Sequence, residues 1–182
     1  MAYPDGVGHG AREPGGDAAQ GDMPGCVVLV AELREEGFLP LTLEVRKLDA
    51  EYPFSRGCEW TTVGAVPKGP GVYAFTVGDD HNLHVTYVGL TEELWMVTKG
   101  RLPSGGARPG QRYGRPLYAG VTRQRINALV AEQLVLGRLV RHWVSPRVGP
   151  SSDRAELRGQ LVSREERLIQ RWDLRRVGWN RG

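Results

Sequence analysis

Gly71-Val72-Tyr73 and Tyr87-Val88-Gly89 bracket a β-hairpin, and that hairpin constrains the fold of this chain more than any other segment. The first run is Gly71 through Val77 and the second is residues 84–89. Both are rich in Val, Thr and aromatics, which suit a pleated, half-buried surface. Gly78-Asp79-Asp80-His81-Asn82 between them are turn residues. The pairing predicts Tyr73 and Tyr87 on neighbouring strands. Two phenols on a rigid sheet can act on one small object, although a cross-strand aromatic pair alone is common sheet packing. By the same reasoning Asp79 and Asp80 read as turn residues rather than as a metal pair, and His81 and His84 as structural.

The rest of the chain is read around that hairpin. At 182 residues and 40% hydrophobic content, one domain with a real core is expected. Residues 1–25 are Gly, Pro, Asp and Ala with few large apolar side chains, and are predicted to be a disordered tail. Residues 26–68 form an N-terminal extension, with a helix over 26–36 closed by Gly37 and a strand over 39–48. Residues 69–182 form the main domain. After the hairpin it holds a helix from Glu92 to about Leu102 and an Arg/Gly-rich loop over 103–120. A helix from Thr122 to Leu136 follows, with the stripe Ile126, Leu129, Val130 and Leu134, and then a third strand over 138–145 that carries His142. Ser152 and Ser163 are candidate helix N-caps, and Leu161, Leu168, Ile169 and Trp172 share a helical face. The fold class expected is α+β: a small, mainly antiparallel three-stranded sheet flanked by helices, with the N-terminal extension packed on it.

Charge is segregated. Residues 1–100 carry 7 Lys+Arg against 15 Asp+Glu, a balance of −8, while residues 101–182 carry 17 Arg against 6 acids, a balance of +11. Arg forks bind phosphate oxygens bidentately and stack on bases, so an Arg-rich half-chain points to a nucleic-acid partner. Cys26 and Cys58 belong to no Cys/His cluster, which argues against a structural zinc. No apolar run is long enough to span a membrane and no secretory leader is read, so a cytoplasmic location is expected.

Taken in order, these motifs resemble the GIY-YIG nuclease superfamily, over residues 69–180. The hairpin supplies Gly71-Val72-Tyr73 and Tyr87-Val88-Gly89, Arg101-Leu102 matches the family's Arg-Leu pair, and Glu165 stands three residues before Leu168-Ile169. Trp179-Asn180 matches an aromatic-Asn pair. Two departures stand out. Gly105 occupies the place one turn after the Arg where many members carry His, Tyr or Lys, with Tyr113 and Arg108 as replacements, and the path from Glu165 to Asn180 is about three residues longer than is common.

The resemblance implies a metal-dependent DNA endonuclease that hydrolyses phosphodiesters. Glu165 would hold a single Mg2+ or Mn2+, since such an ion is often bound by one or two carboxylates with waters and substrate phosphate. Arg101 would offset charge on the phosphoryl oxygens. Tyr73 would take the proton from the attacking water, Tyr87 would hydrogen-bond that water or the phosphate, and Asn180 would orient a phosphate or order the site. Arg108, Arg112, Tyr113 and Arg115 in the loop are candidate DNA contacts. A restriction-type or lesion- or structure-directed enzyme is expected, as a homodimer on DNA where both strands are cut. The alternative is a non-catalytic nucleic-acid-binding module on a degenerate nuclease fold.

Overall fold

The computed structural model describes residues 23–47, 58–62, 67–92, 94, 112–114, 121–146 and 153–181. The tail expected over 1–25 falls outside them except for its last three residues, as does the body of the helix expected over 92–102.

The strand β5 (Gly71–Val77) is the axis of the molecule, with every residue buried. Such a strand needs cover on both faces, and its Val, Ala, Phe and Thr residues can be covered without stranding a charge. It pairs antiparallel with β6 (Leu83–Thr91) on one side and with β8 (Val140–Pro146) on the other. The turn before β6 is held by Asp79, whose Oδ1 accepts hydrogen bonds from the backbone N–H groups of His81 (2.9 Å) and Asn82 (3.0 Å). Those bonds hold the Asp79 carboxyl below the usual range. Asp80 pairs with Arg141. The acidic pair is thus used by the fold, Asp79 within the turn and Asp80 in tying that turn to β8.

The class is α+β, but among the described residues the central sheet has five strands, not three, in the order β1 (Cys26–Val28), β6, β5, β8 and β2 (Leu39–Pro40). The two additional strands come from the N-terminal extension. β1 lies along β6 and β2 along β8. The helix expected over 26–36 therefore shrinks to α1 (Val30–Glu35). Cys26, Val27 and Val28 gain more from pairing with the edge of β6 than helical propensity offers such residues. A second sheet has the order β3-β4-β7, from β3 (Thr42–Lys47), β4 (Cys58–Thr62) and β7 (Arg112–Gly114). The segment expected to be a loop over 103–120 thus contains a strand.

Helix α2 (Val121–Val135) packs Ile126 and Val130 on one face of the main sheet, against Tyr73, Phe75, Tyr87 and Val144. Helix α3 (Arg154–Arg171) packs Leu168 and Ile169 on the other, against Val72, Ala74, Val88 and Trp143. Each fully buried side chain of this kind contributes about 1.5–3 kcal/mol. α3 is one continuous helix. Its N-cap is Asp153, whose side chain accepts from Ala155 N–H (2.8 Å), and Ser163 lies in its interior. The Ser163 capping pattern is overridden because the apolar stripe continues through it from Leu161 to Trp172.

α3 is locked to the end of α1 by one carboxylate. Glu36 accepts from Arg167 (3.1 and 2.6 Å) and Arg171 (2.5 Å), while Arg164 donates to the Glu36 carbonyl and to Ser145 Oγ, both at 2.6 Å. Burial opposes the charge on Glu36, but the two guanidinium groups outweigh it and hold the carboxyl below its ordinary range. Glu165 sits beside Arg164 on the same turn, so the lock also fixes where Glu165 stands. Among the described residues no helix is long and apolar enough to cross a membrane.

Candidate active site

Alternation along β6 would place Leu83, Val85, Tyr87 and Gly89 on a single face. They do not share one. Phe75 stands opposite Tyr87 and Thr76 opposite Val85, so Thr86 is an extra residue bulged out of the ladder. Leu83 and Val85 face α3, together with Val88. Tyr87 joins Tyr73 on the α2 face, with the ring centroids 5.9 Å apart and tilted by 50°. Without the bulge, a one-residue shift in parity would carry Tyr87 to the opposite side of the sheet. Thr86 is held by its own hydroxyl, which donates to Phe75 O at 3.1 Å, and by Trp179 N–H, which donates to Thr86 O at 2.6 Å.

The two motif glycines have steric reasons to be there. A Cβ on Gly89 would stand 2.6 Å from Tyr73 Cζ and 2.7 Å from its hydroxyl, so the Tyr73 ring lies directly over Gly89. A Cβ on Gly71 would stand 2.5 Å from Ser145 O and 2.7 Å from Leu94 Cδ1. Tyr73 is walled by Phe75 edge-on at 6.3 Å and by His142 edge-on at 5.6 Å, and His142 itself stacks on Phe75 at 4.5 Å. His142 lies on the third core strand, as expected, at the base of the tyrosine pair.

β1 covers only the first part of β6, pairing with Leu83, His84 and Val85. The edge beyond it is occupied by two of the residues that the motif order nominated. Asn180 accepts from Val88 N–H (3.1 Å) and donates to Val88 O (2.7 Å), so its amide replaces a neighbouring strand. Two residues along the same edge, a backbone hydrogen bond from Leu90 reaches the Glu165 carboxylate. Asn180 therefore caps the β6 edge at Val88. Gly178, whose Cβ would meet Thr86 O at 2.6 Å, lets this C-terminal segment approach so closely.

Glu165 lies in the apolar stripe of α3, four residues after Leu161 and four before Ile169. Burial pushes its carboxyl above the ordinary range and the neighbouring Glu166 adds to that, while the Leu90 bond and Arg175 oppose it. Glu166 faces away and is spent on Arg175 through two hydrogen bonds of 2.7 Å. Glu165 is thus the inward carboxylate of the two and Glu166 the one at the surface. Burial also pushes the Tyr87 phenol well above the usual tyrosine range. The adjacent Tyr73 and the Glu165 charge add to this shift, and Arg125 counters it.

Arg125 was not among the candidates from sequence. It sits on α2 next to the core residue Ile126, and its Nη1 donates to Trp179 O at 2.8 Å. It is thus a partly buried guanidinium at the tyrosine pair, tied to the segment that holds the bulge. The one available signal was an Arg directly before the apolar stripe of α2. Arg101, Arg108 and Arg115 lie outside the described residues, while Arg112 and Tyr113 lie on β7. Among the described residues no group of three His, Cys, Asp or Glu could hold a metal, so Glu165 is a lone carboxylate ligand candidate.

No protein-family model matches the chain, and neither a curated protein nor a solved structure does.

Proposed function

We propose that this chain is a metal-dependent DNA endonuclease of the GIY-YIG type, hydrolysing phosphodiesters at the Tyr73–Tyr87 pair. The observation that carries the reading is the convergence at the edge of β6. Tyr73, Tyr87, Glu165 and Asn180 were nominated by motif order alone, and they meet around the stretch from Thr86 to Leu90. Core packing does not require a carboxylate in the middle of an apolar stripe, and keeping one there opposes burial. Such a group is a functional candidate.

A divalent cation suits this donor set. Mg2+ keeps most of its waters and needs one or two protein carboxylates. A dication beside Glu165 would also favour the charged form that burial disfavours. When bound, it would polarise the phosphoryl group and stabilise the leaving oxygen. The residues of the chain supply the rest. Tyr87, whose proton is held firmly and directed at Tyr73, can accept a hydrogen bond from the attacking water at its phenol oxygen. In this reading Tyr73, once deprotonated beside the cation, takes the proton of the attacking water. Arg125, whose guanidinium has five N–H donors and spends one on Trp179 O, neutralises phosphoryl charge from the α2 side. Asn180 keeps the β6 edge, and hence Tyr87, in register. Cutting both strands calls for a homodimer or two sequential events. The second reading, a DNA-binding module without catalysis, rests on Gly105 and on the displaced path to Asn180.

The experiment is nicking of supercoiled plasmid with Mg2+ by the wild type, Arg101→Ala and Arg125→Ala. Arg125→Ala is expected to lower the rate by about a hundredfold or more, the typical loss for a preorganised charge-stabilising donor. An unchanged rate would remove Arg125 from the mechanism. Loss in Arg101→Ala alone would return the role to the residue that the motif order selects.

A further inference from the structure

Arg164, the residue before Glu165 on α3, donates from one nitrogen to two oxygens. Its Nη2 stands 2.6 Å from the Glu36 carbonyl at the end of α1 and 2.6 Å from Ser145 Oγ on β8. Ser145 Oγ in turn donates to the same carbonyl at 3.3 Å, and a Cβ on Gly37 would stand 3.1 Å from that hydroxyl. The Glu36 carboxylate does not need this contact, since Arg167 and Arg171 already donate to it. Packing does not ask for it either. Burial disfavours the charge on Arg164, and although Glu36 favours it, Arg167 adds repulsion.

The register of the sheet gives this contact a purpose. Ser145 of β8 stands opposite Val72 of β5, and Val72 stands opposite Leu90 of β6, so the three form one row across the sheet. Arg164 grips that row at Ser145, and Glu165 meets its other end, where the carboxylate accepts the hydrogen bond from Leu90. Two strand spacings make the row about 10 Å wide. Consecutive residues on a helix diverge by about 100°, so one turn of α3 reaches both ends. Leu168, one turn later, is buried in the cluster that holds Val72. The adjacent row is Val144, Tyr73 and Gly89, the row that carries the first tyrosine of the pair.

Resting on the nuclease reading above, we infer that Arg164 is a positioning residue of the candidate site. By tying its turn of α3 to β8, it holds Glu165 at the β6 edge and so sets how tightly a divalent cation is bound there. A rotation of α3 that carried Glu165 away from Leu90 would have to break both Arg164 bonds.

The test uses the full chain and Arg164→Met, which keeps an unbranched stem and removes the guanidinium. Amide hydrogen exchange is read at Leu90, whose N–H is bonded to Glu165, and at Val88, whose N–H is bonded to Asn180 on the same edge. Leu90 is expected to exchange about tenfold faster in the variant, the effect of losing one hydrogen bond to a charged group, while Val88 keeps its wild-type rate. A general loss of stability would speed both alike. The Mg2+ concentration for half-maximal plasmid nicking should rise about tenfold, as when a group supporting a metal ligand is removed. Ser145→Ala takes away one of the two acceptors without touching α3. It should move both readings the same way by a smaller factor, and it carries the test if Arg164→Met does not fold. An unchanged Leu90 rate, or equal acceleration at Leu90 and Val88, would overturn the inference. Selective acceleration at Leu90 with no nicking by the wild type would remove the endonuclease reading and leave Arg164 as the residue that positions Glu165. Metal-dependent nicking by the wild type, with the same Mg2+ requirement in Arg164→Met, would do the reverse.

Discussion

Gly89→Ala is expected to lower the melting temperature by roughly 2–12 °C and to reduce cleavage by more than the lost stability explains. The added methyl would stand 2.6, 2.7 and 2.9 Å from Tyr73 Cζ, hydroxyl and Cε1. Contacts under 3 Å must be relieved, and the ring has nowhere to go, since Phe75, Tyr87 and His142 wall it. Overpacking of this kind costs about 1–3 kcal/mol. Any relief moves the Tyr73 hydroxyl, so geometry is lost even in molecules that remain folded. Gly159→Ala is the control. Nothing lies within 4 Å of its added Cβ on α3, and replacing a helical Gly should stabilise by about 0.5–1 kcal/mol. Thermal melts and plasmid nicking on both variants check the pair. A Gly89→Ala protein with wild-type stability and rate would mean that the ring does not sit where the fold places it.

Glu165→Gln is expected to abolish cleavage, by at least about a hundredfold, while the melting temperature at neutral pH stays at or above that of the wild type. The sign follows from the direction of the shift. Burial raises the carboxyl in the folded chain above its unfolded value, so the folded state holds the proton more tightly. Stability then falls as pH rises from the unfolded value through the raised folded value, and the charged form at neutral pH carries that cost. Gln keeps an oxygen for the Leu90 N–H and carries no charge to desolvate. At low pH, where the wild-type carboxyl is itself protonated, the two melting temperatures should converge. Activity should show the opposite trend in the wild type, rising with pH as the carboxyl gives up its proton. A Gln variant that melts well below the wild type at neutral pH would make Glu165 a structural edge cap, held for its bond to Leu90.

Much of the fold was legible because it is written locally. β5 and β8 are continuous runs of β-formers, and α2 carries its stripe at Ile126 and Val130 with Gly137 in the left-handed region beyond its end. The site was legible as an ordered set of residues and illegible as geometry. Leu83, Val85, Tyr87 and Gly89 alternate without a break, and nothing local announces that Thr86 is bulged. The bulge depends on Trp179 and Gly178, more than ninety positions later, and on the Thr86 hydroxyl reaching Phe75 O. Arg125 escaped for the same reason. Its meaning depends on where α2 lies relative to Trp179, which only the packed structure determines. β1 was missed because a three-residue strand carries no usable periodicity, while the strand expected over 39–48 divides at Leu41 into β2 and β3. Ser163 misled because a capping pattern is weaker than an apolar stripe that buries Leu161, Leu168 and Trp172 together.

The bulge at Thr86 and the C-terminal segment that holds it bring two core tyrosines onto one face beside a half-buried carboxylate, and the proposed hydrolysis rests on that arrangement. The measurement that bears on this most directly is nicking of supercoiled plasmid by the wild type and by Tyr73→Phe, each with Mg2+ and with chelator. Phe keeps the ring that packs over Gly89 and removes only the hydroxyl, so the fold is preserved. Nicking by the wild type with Mg2+, absent with chelator and lowered about a hundredfold or more in Tyr73→Phe, is the result expected. Equal metal-dependent nicking by both proteins, or none by the wild type on a plasmid that it binds, would contradict it.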